Sequence, residues 1–291
     1  MSKGKSVNIF LIDGTPTGKI KCTLQNWTGV AYKIPRSLLE TCKDSPTLNK
    51  HLKQTGIYFL LGENADSGDR FIYIGQASLR KNGEALSIRL QEHKASPEKD
   101  YWNEAIVFTT QNDTLGPTEI SFLENKFCNL ASEAGRYIVK NGNEPNPGNI
   151  TEEKESEMEE FVDYARIVMG VLGHKVFEPV IKQEEKQQQK PINSPVFHFR
   201  GRFKATAIVT QEGFVVLKGS QISTKLTQSA KGPGVKARSQ YKDKITSEGI
   251  LLENIPFTSP SAAASFVGGA SLSGNECWRT EDGKNPKELN I

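Results

Sequence analysis

The sequence predicts an α+β protein with two folded parts, and three features of its pattern indicate this class. Residues 55–61 and 70–75 are short apolar runs on either side of a polar turn, which is typical of a β-hairpin. Residues 151–172 place apolar side chains at helical spacing, which predicts an amphipathic helix. Residues 181–195 are polar, low in complexity and contain prolines, as expected of a linker between domains.

These features divide the chain of 291 residues into four segments. An accessory segment at 1–50 is expected to hold a hairpin and a helix. The central domain spans 51–180, the linker 181–195, and a C-terminal domain 196–291. A chain of this length exceeds one typical domain, so a division into modules is expected.

The central domain is predicted to contain a small three-stranded sheet, mixed or antiparallel, that is flanked by helices. Its strands are expected at 55–61, 70–75 and 105–109, and its helices at 85–94, 118–132 and 151–172. Thr118 is the candidate N-cap of the second helix. The C-terminal domain is predicted to be a small α+β unit, with strands at 205–210 and 213–217 and a serine-capped helix over 258–269.

Composition excludes some classes of protein. No stretch of about 18 apolar residues is present, so neither a membrane-spanning helix nor a membrane partner is expected. The first apolar run is too short for a signal peptide. The four cysteines show no CxxC spacing, which argues against a zinc site or a disulfide framework and favours a reducing cytoplasm. The net charge of +3 is too small to indicate nucleic acid binding by itself.

Each strand of the predicted hairpin carries one tyrosine, Tyr58 or Tyr73. If the turn is centred between Ala65 and Asp66, these two residues are directly opposed, and their phenols lie side by side on one face. A register slip of one residue would separate them. Tyrosines on strands often serve only in packing, so the pair alone does not define a site.

The helix predicted at 85–94 carries Arg89 and His93, which are four residues apart and share one helical face. A guanidinium can grip the non-bridging oxygens of a phosphate, and an imidazole can exchange a proton with a reacting oxygen. The pair therefore suits a phosphate site. The alternative is that both residues belong to the solvated side of an amphipathic helix.

Glu124 lies among the apolar residues of the helix predicted at 118–132. Ile120, Leu123 and Phe127 belong to the same side of that helix. A carboxylate on a core-facing side needs a partner, because burying it alone is very costly. A magnesium ion or an arginine would supply one, and an ordinary ion pair with Arg or Lys is the structural alternative.

Taken together, these residues resemble the GIY-YIG nucleases, a family that includes the incision subunit of bacterial excision repair and several homing and restriction endonucleases. The resemblance covers about residues 54–150. It is carried, in order along the chain, by Gly56-Ile57-Tyr58, Tyr73-Ile74-Gly75, Arg89 with His93, and Glu124. It implies the GIY-YIG nuclease fold for the central domain.

The resemblance implies catalytic roles for five residues. Tyr58 would orient or deprotonate the attacking water, or serve as the proton-handling phenol, and Tyr73 would hold that arrangement by hydrogen bonding. Arg89 would stabilise charge on the scissile phosphate, and His93 would assist proton transfer. Glu124 would bind a single divalent ion, Mg²⁺ or Mn²⁺, because one carboxylate suits a metal that keeps most of its waters and takes a phosphate oxygen as another ligand.

The resemblance also implies supporting roles for glycine and asparagine residues. Gly56 and Gly75 would permit close backbone packing beside the site. Many members of the family use an asparagine after the glutamate helix, and Asn141 and Asn143 both match that place. Each of them is explained equally well as a turn residue beside Gly142.

The C-terminal domain begins with a strongly basic segment. Residues 196–244 contain ten Lys or Arg residues and two acidic residues, an excess of eight positive charges. Phosphate binding is the functional interpretation of this excess, and a solubilising surface is the alternative. The candidates for nucleic acid contact are Arg200, Arg202, Lys204, Lys218, Lys236 and Arg238.

The C-terminal domain resembles an uncharacterised domain that often follows GIY-YIG modules in prokaryotic proteins. Its segments 257–264 and 274–278 are also similar to DNA-reading domains attached to restriction enzymes and adenine methylases. Trp278, at the end of the second segment, either stacks on a base or fills a small core.

The expected function is that of a metal-dependent endonuclease that hydrolyses DNA phosphodiester bonds, in restriction, defence or repair. The alternative is a catalytically inactive protein that binds nucleic acid on a nuclease fold. Cleavage of RNA is a third interpretation that the residues leave open. The sequence does not indicate the target or the oligomeric state.

Overall fold

Two β-sheets, one of seven strands and one of five, organise the chain. The structure is a computed structural model that describes residues 4–79, 85–142, 145–179, 195–210, 212–228 and 230–291. The chain divides into two units, Met1–Glu178 and Pro179–Ile291, and each unit contains one sheet. All but the last residue of the predicted linker at 181–195 lies outside the described residues.

The sheet of the first unit is antiparallel with one short parallel addition. Its strands are β1 (Val7–Leu11), β2 (Ile20–Leu24), β3 (Gly29–Pro35), β4 (Gly56–Glu63), β5 (Arg70–Ala77), β6 (Glu104–Thr110) and β7 (Ile138–Val139). Their order across the sheet is β1-β2-β3-β6-β4-β5-β7. Strand β7 pairs with β5 in the parallel sense.

Helices cover both faces of this sheet. They are a 3-10 helix at Arg36–Asp44, α1 (Pro46–Leu52), α2 (Leu86–Ala95), α3 (Pro117–Ala134) and α4 (Glu152–Val171). Helices α3 and α4 pack on one face, and α1, α2 and the 3-10 helix pack on the other. The central strand β4 is buried along seven of its eight residues, because its alternating side chains meet an apolar layer on each face.

The sheet is larger than the three strands that the sequence predicts. The N-terminal residues add β1, β2 and β3, and β3 pairs with β6 over its whole length, from Gly29 opposite Thr110 to Pro35 opposite Glu104. Strand β3 is not predicted because it is buried on both faces and shows no alternation of apolar and polar residues. The N-terminal segment therefore belongs to the same sheet as β4 and β5.

The two long helices of this unit begin with different N-terminal residues. Helix α3 begins with Pro117 after Gly116, so the predicted N-cap at Thr118 is wrong. Helix α4 begins after Thr151, whose hydroxyl accepts a hydrogen bond from Lys154 N at 3.5 Å. The predicted apolar stripe of α4 is confirmed by the burial of Met158, Phe161, Val162, Ala165 and Val168.

The second unit is a five-stranded antiparallel sheet with helices. Its strands are β8 (Val196–Phe199), β9 (Thr206–Thr210), β10 (Gly213–Val216), β11 (Ile255–Phe257) and β12 (Trp278–Arg279), in the order β11-β10-β9-β8-β12. Its helices are α5 (Pro233–Gln240), α6 (Pro260–Gly268) and α7 (Gly274–Cys277). The predicted serine cap of α6 is confirmed, because Ser259 Oγ accepts from Ala262 N at 3.2 Å.

No helix in the described ranges combines the length and apolar character needed to cross a membrane. The four cysteines are free thiols, and three of them are buried. Burial raises the pKa of Cys22 and of Cys42 to about 11 and that of Cys128 to about 12, so these thiols stay protonated at neutral pH.

Candidate active site

Tyr58 and Tyr73 lie on the same face of the β4–β5 hairpin but are not directly opposed. Tyr58 pairs with Gly75, and Tyr73 pairs with Leu60. The predicted direct pairing is therefore wrong, because the turn lies one residue further along the chain and shifts every partner by two. Side chains alternate with a period of two, so this shift leaves both phenols on one face. The rings stack at 30° with their centroids 6.3 Å apart.

The glycines of the two motifs make room for their neighbours. A Cβ at Gly75 would lie 2.3 Å from Tyr58 Oη and 2.4 Å from its Cζ, so the ring lies directly over the glycine. A Cβ at Gly56 would lie 2.3 Å from the carbonyl oxygen of Phe108 on β6. Both positions need glycine for close approach rather than for an unusual backbone conformation.

Helix α2 places His93 against both tyrosines. Tyr58 Oη lies 2.6 Å from His93 Nε2. The centroid of the imidazole is 5.3 Å from that of the Tyr58 ring and 5.0 Å from that of Tyr73. Tyr58 is fully buried and His93 is 5% exposed, whereas Tyr73 is half-buried. Tyr58 and His93 therefore form the inner part of the cluster, and Tyr73 is the phenol nearer to solvent.

Burial sets the protonation states of this cluster. Burial, and then the charges of Lys99 and Arg89, lower the pKa of His93 to about 4. Burial is also the main reason that the pKa values of Tyr58 and Tyr73 are raised. At neutral pH the imidazole is therefore uncharged and both phenols are protonated. Tyr58 donates its proton to Nε2 in the tautomer that carries the imidazole proton on Nδ1.

Arg89 lies one helical turn before His93 on α2. Its Nη1 is 2.8 Å from Glu92 Oε2, and its side chain is 39% exposed. An exposed helical pair of this kind contributes only about 0.3–0.5 kcal/mol, so a phosphate can replace the carboxylate at small cost. The charge of Arg89 also lowers the pKa values of both tyrosines and of Glu124, which offsets part of the effect of their burial.

Helix α3 brings Glu124 to strand β5, where the carboxylate meets a neutral amide. Glu124 Oε2 accepts from Gln76 Nε2 at 2.8 Å, and Gln76 Oε1 accepts from Ser121 Oγ at 3.2 Å. The sequence predicts a metal ion or an arginine as the direct partner, and in the described residues that place is taken by Gln76. Gln76 and Ser121 were not predicted, although Gln76 directly follows Gly75 and Ser121 precedes Glu124 by one helical turn.

The chemistry around Glu124 suits one divalent ion held by few protein ligands. The described residues contain no cluster of three or more His, Cys, Asp or Glu able to hold a metal. Glu124 is half-buried, and burial raises its pKa. Its hydrogen-bond partner Gln76 is uncharged, and no ion pair joins Glu124 to another of the described residues. Mg²⁺ commonly takes one or two carboxylates and completes its shell with water and phosphate oxygens. Glu124 fits that pattern.

Asn141 continues the sheet with its side chain. Its Oδ1 accepts from Ile74 N at 3.0 Å, and its Nδ2 donates to Ile74 O at 2.7 Å. The carboxamide thus pairs with the edge of β5 as a neighbouring strand would, just beyond the short strand β7. Asn143, the other asparagine that matches the family position, lies outside the described residues. Asn141 therefore holds Ile74, which stands between Tyr73 and Gly75.

Lys99 is a further charged residue at the site that the sequence does not indicate. Its Nζ lies 3.8 Å from the centroid of the Tyr73 ring. The residue follows α2 in the chain and shares no helical or strand spacing with the motifs, so no sequence signal links it to them.

Four of the six predicted nucleic acid contacts lie at one end of the second sheet. Arg200, Arg202 and Lys204 connect β8 to β9, and Lys218 follows β10. Because β8, β9 and β10 are antiparallel neighbours, the end of β8, the start of β9 and the end of β10 lie at the same end of the sheet. All four side chains are exposed, and Lys236 is exposed on α5. We call Arg200, Arg202, Lys204 and Lys218 the basic edge.

Arg238 has a structural role instead, which corrects its place in the predicted set. Its guanidinium donates to the carbonyl oxygens of Phe266 at 2.6 Å, of Val267 at 3.3 Å and of Ser223. Two of these carbonyls belong to the last turn of α6, where the helix leaves them without partners. Burial lowers the pKa of Arg238 to about 10. Its donors are therefore committed to the backbone.

Trp278 belongs to the core of the second unit. It is 0% exposed, its Nε1 donates to the carbonyl oxygen of Pro260 at 3.1 Å, and its ring meets that of Phe199 edge-on at 5.1 Å. The core interpretation of this tryptophan is therefore confirmed, and its ring is not available for stacking on a base.

Comparison with known families matches residues 196–290 to a domain of unknown function, DUF4357. The match agrees with the predicted uncharacterised C-terminal domain. It covers about a third of the chain, and no match to the GIY-YIG family was found. No curated protein and no solved structure matches the chain.

Proposed function

We propose that the first unit is a metal-dependent endonuclease of the GIY-YIG type that hydrolyses phosphodiester bonds in DNA. One observation carries the proposal: Tyr58, Tyr73 and His93 contact one another, while Arg89 precedes His93 by one turn of α2 and Glu124 is bonded to Gln76, the neighbour of Gly75. These residues come from two strands and two helices. They supply a proton acceptor, a phosphate-binding cation and a metal-binding carboxylate in one place.

Phosphate binding falls to Arg89 in this proposal. Its guanidinium is held to Glu92 by an exposed ion pair, so it can exchange that carboxylate for the non-bridging oxygens of a phosphodiester. In the transition state these oxygens carry the developing charge, and a positioned cation stabilises them. A divalent ion bound at Glu124 would neutralise further charge on the phosphate and on the leaving oxygen.

Proton transfer is divided between the two phenols. Tyr73 is the half-buried one, so it orients the attacking water. Tyr58 stacks against Tyr73 with the ring centroids 6.3 Å apart, and its hydroxyl is bonded to the neutral imidazole of His93. As the water attacks, its proton passes through the phenols to Nε2, and no phenolate needs to form beforehand. This order gives Tyr73 the water-facing role that the family resemblance implies for Tyr58.

The second unit is proposed to hold the nucleic acid. The basic edge presents four exposed cations, which suit the backbone phosphates of either strand without reading the sequence. DNA is the proposed substrate, in a restriction, defence or repair setting, and RNA is the competing substrate in the test. The expected location is the cytoplasm.

A catalytically inactive nucleic-acid-binding protein is the second candidate function, and a specific observation favours it. Tyr58 is 0% exposed and Arg89 is already paired with Glu92, so the site needs a rearrangement before it can meet a substrate. The two candidates make opposite predictions for cleavage and the same prediction for binding.

Plasmid nicking separates the two candidates. Supercoiled plasmids prepared with and without base modification, and a structured RNA, would be incubated with the full chain in MgCl₂, in MnCl₂ and in EDTA. Arg89→Ala should slow cleavage by about a hundredfold or more, because removal of one transition-state contact commonly has that effect. Arg70→Ala is the matched control, since Arg70 is also an exposed arginine in an ion pair in this unit.

The nuclease proposal requires metal-dependent nicking by the wild type that EDTA abolishes and that Arg70→Ala retains. Binding of the plasmid without nicking in either metal would favour the inactive protein. Cleavage confined to the RNA would support the proposed phosphodiester hydrolysis and would contradict DNA as the substrate.

A further inference from the structure

Lys99 gives the proposed site a second cation. It ends the short 3-10 helix Pro97–Lys99, which follows α2, and its Nζ lies 3.8 Å from the centroid of the Tyr73 ring. The side chain is half-buried. The attraction between an ammonium and an aromatic face holds Lys99 beside the phenol that is nearer to solvent.

Two positive charges act on each other here. Burial and the charge of Arg89 lower the pKa of Lys99, and both cations lower the pKa of His93. The carboxylate of Glu98 offsets part of this effect on Lys99, yet Lys99 forms no ion pair among the residues that the structure describes. Like charges in a partly buried place repel each other, and an anion bound by both of them relieves the repulsion.

We infer that Lys99 binds a non-bridging oxygen of the same phosphodiester that Arg89 contacts. The inference rests on the proposed nuclease function and adds a residue to it. The arginine offers a planar fork for two oxygens, and the lysine offers a compact point charge with three donors. A phosphate held by both lies beside Tyr73, where a water oriented by that phenol can attack the phosphorus.

The test compares three variants of the full chain with the wild type. Lys99→Gln keeps the length of the side chain and removes the charge, and Lys99→Arg restores the charge. Lys43→Gln is the matched control, because Lys43 is an exposed lysine of the same unit at the end of the 3-10 helix Arg36–Asp44. Two quantities are measured: the single-turnover cleavage rate in Mg²⁺, and the affinity for a fluorescein-labelled DNA duplex in EDTA.

Lys99→Gln is expected to lower the cleavage rate by about tenfold or more, as for loss of a charge-assisted hydrogen bond. Lys99→Arg should recover most of the rate, and Lys43→Gln should match the wild type. Wild-type rate and affinity in Lys99→Gln would overturn the inference while leaving the nuclease proposal intact. Equal losses in Lys99→Gln and Lys99→Arg would also overturn it, since they indicate packing against Tyr73 rather than charge.

A wild type that binds DNA without cutting it would instead remove the proposed function. In that case a weaker affinity of Lys99→Gln, recovered in Lys99→Arg, would still support phosphate binding at Lys99, and an unchanged affinity would overturn it.

Discussion

Tyr58 and Tyr73 show how burial gives one residue type two chemical roles. The side chain of Tyr58 packs against Gly75 and His93, and its hydroxyl lies 2.6 Å from His93 Nε2. Tyr73 stands on the next strand with a partly exposed phenol and an ammonium over its face. The two residues are equivalent in the sequence motifs, so the difference between them could not be predicted from spacing.

Gly75→Ala is predicted to destabilise the first unit by about 1–3 kcal/mol, as overpacking in a full core does. The new Cβ would lie 2.3 Å from Tyr58 Oη, and the ring can retreat only by breaking its bond to His93. Urea unfolding measures the loss, and cleavage should fall with it. Gly170→Ala, on the open side of α4, is the control and should gain about 0.5 kcal/mol.

The stability of the first unit is predicted to fall as the pH is lowered from about 6.5 to about 4. The pKa of His93 is about 4 in the folded chain, whereas that of an unperturbed histidine is about 6.5, so the unfolded chain binds the proton more readily. His93 therefore contributes stability above pH 6.5 that is lost on acidification, about 3 kcal/mol in all. Stability curves of wild type and His93→Gln across this pH range measure the difference.

The glutamine variant should lack this component of the acid sensitivity. His51, whose pKa is also lowered by burial, titrates in both proteins and so cancels in the comparison. Parallel stability curves for the two proteins would contradict the prediction.

At the level of elements, one side chain satisfies the backbone of β5 at Ile74, beyond the residues that pair with β7. Asn141 both accepts from and donates to the backbone of Ile74. Asn141→Asp keeps the acceptor and places a second acceptor against the Ile74 carbonyl, so we predict a loss of about 1–2 kcal/mol. Asn141→Ala loses both bonds, and the amide of Ile74 should then exchange faster than in the aspartate variant. Unchanged exchange at Ile74 in both variants would contradict the prediction.

In the second unit, we predict that Arg238 contributes to stability and that Arg202 contributes to DNA binding. Arg238→Ala removes the side-chain donor of Phe266 O at the end of α6, whereas Val267 O keeps its bond from Ser223 N at 2.8 Å, and the variant should cost about 1–3 kcal/mol. Arg202→Ala should change stability by less than about 0.5 kcal/mol but weaken DNA binding and reduce its salt dependence by about one phosphate contact. Thermal unfolding and fluorescence anisotropy at several salt concentrations measure the two effects. A stable Arg238→Ala protein with weakened binding would contradict this assignment.

The elements that could be predicted from the sequence are those with a periodic or motif signal. The amphipathic helix α4, the β4–β5 hairpin and the serine-capped α6 all have such a signal, and all are present. Strand β3 lacks one because both of its faces are buried. The size of the first sheet was therefore underestimated, and the register of the hairpin differed by two because turn length is weakly encoded in a polar segment.

At the scale of the whole molecule, Tyr58, Tyr73 and His93 contact one another although 35 positions separate the first from the last. The catalytic roles given to them stay predictions, which follow from the resemblance in motif order. Gln76, Ser121 and Lys99 could not be predicted, since each is defined only by what the fold brings next to it. The hydrogen bonds of Arg238 to the backbone could not be predicted either, because composition does not distinguish an exposed arginine from a packed one.

The central claim is that one centre, built on Glu124 with Arg89 and the two phenols, hydrolyses DNA. The most direct test is the single-turnover cleavage rate of an end-labelled duplex in Mg²⁺ by wild type, Glu124→Gln and Glu133→Gln. Glu133 is exposed on the same helix and serves as the matched control. We expect metal-dependent cleavage that Glu124→Gln lowers by about a hundredfold or more and that Glu133→Gln leaves unchanged. Equal rates for Glu124→Gln and the wild type would contradict it.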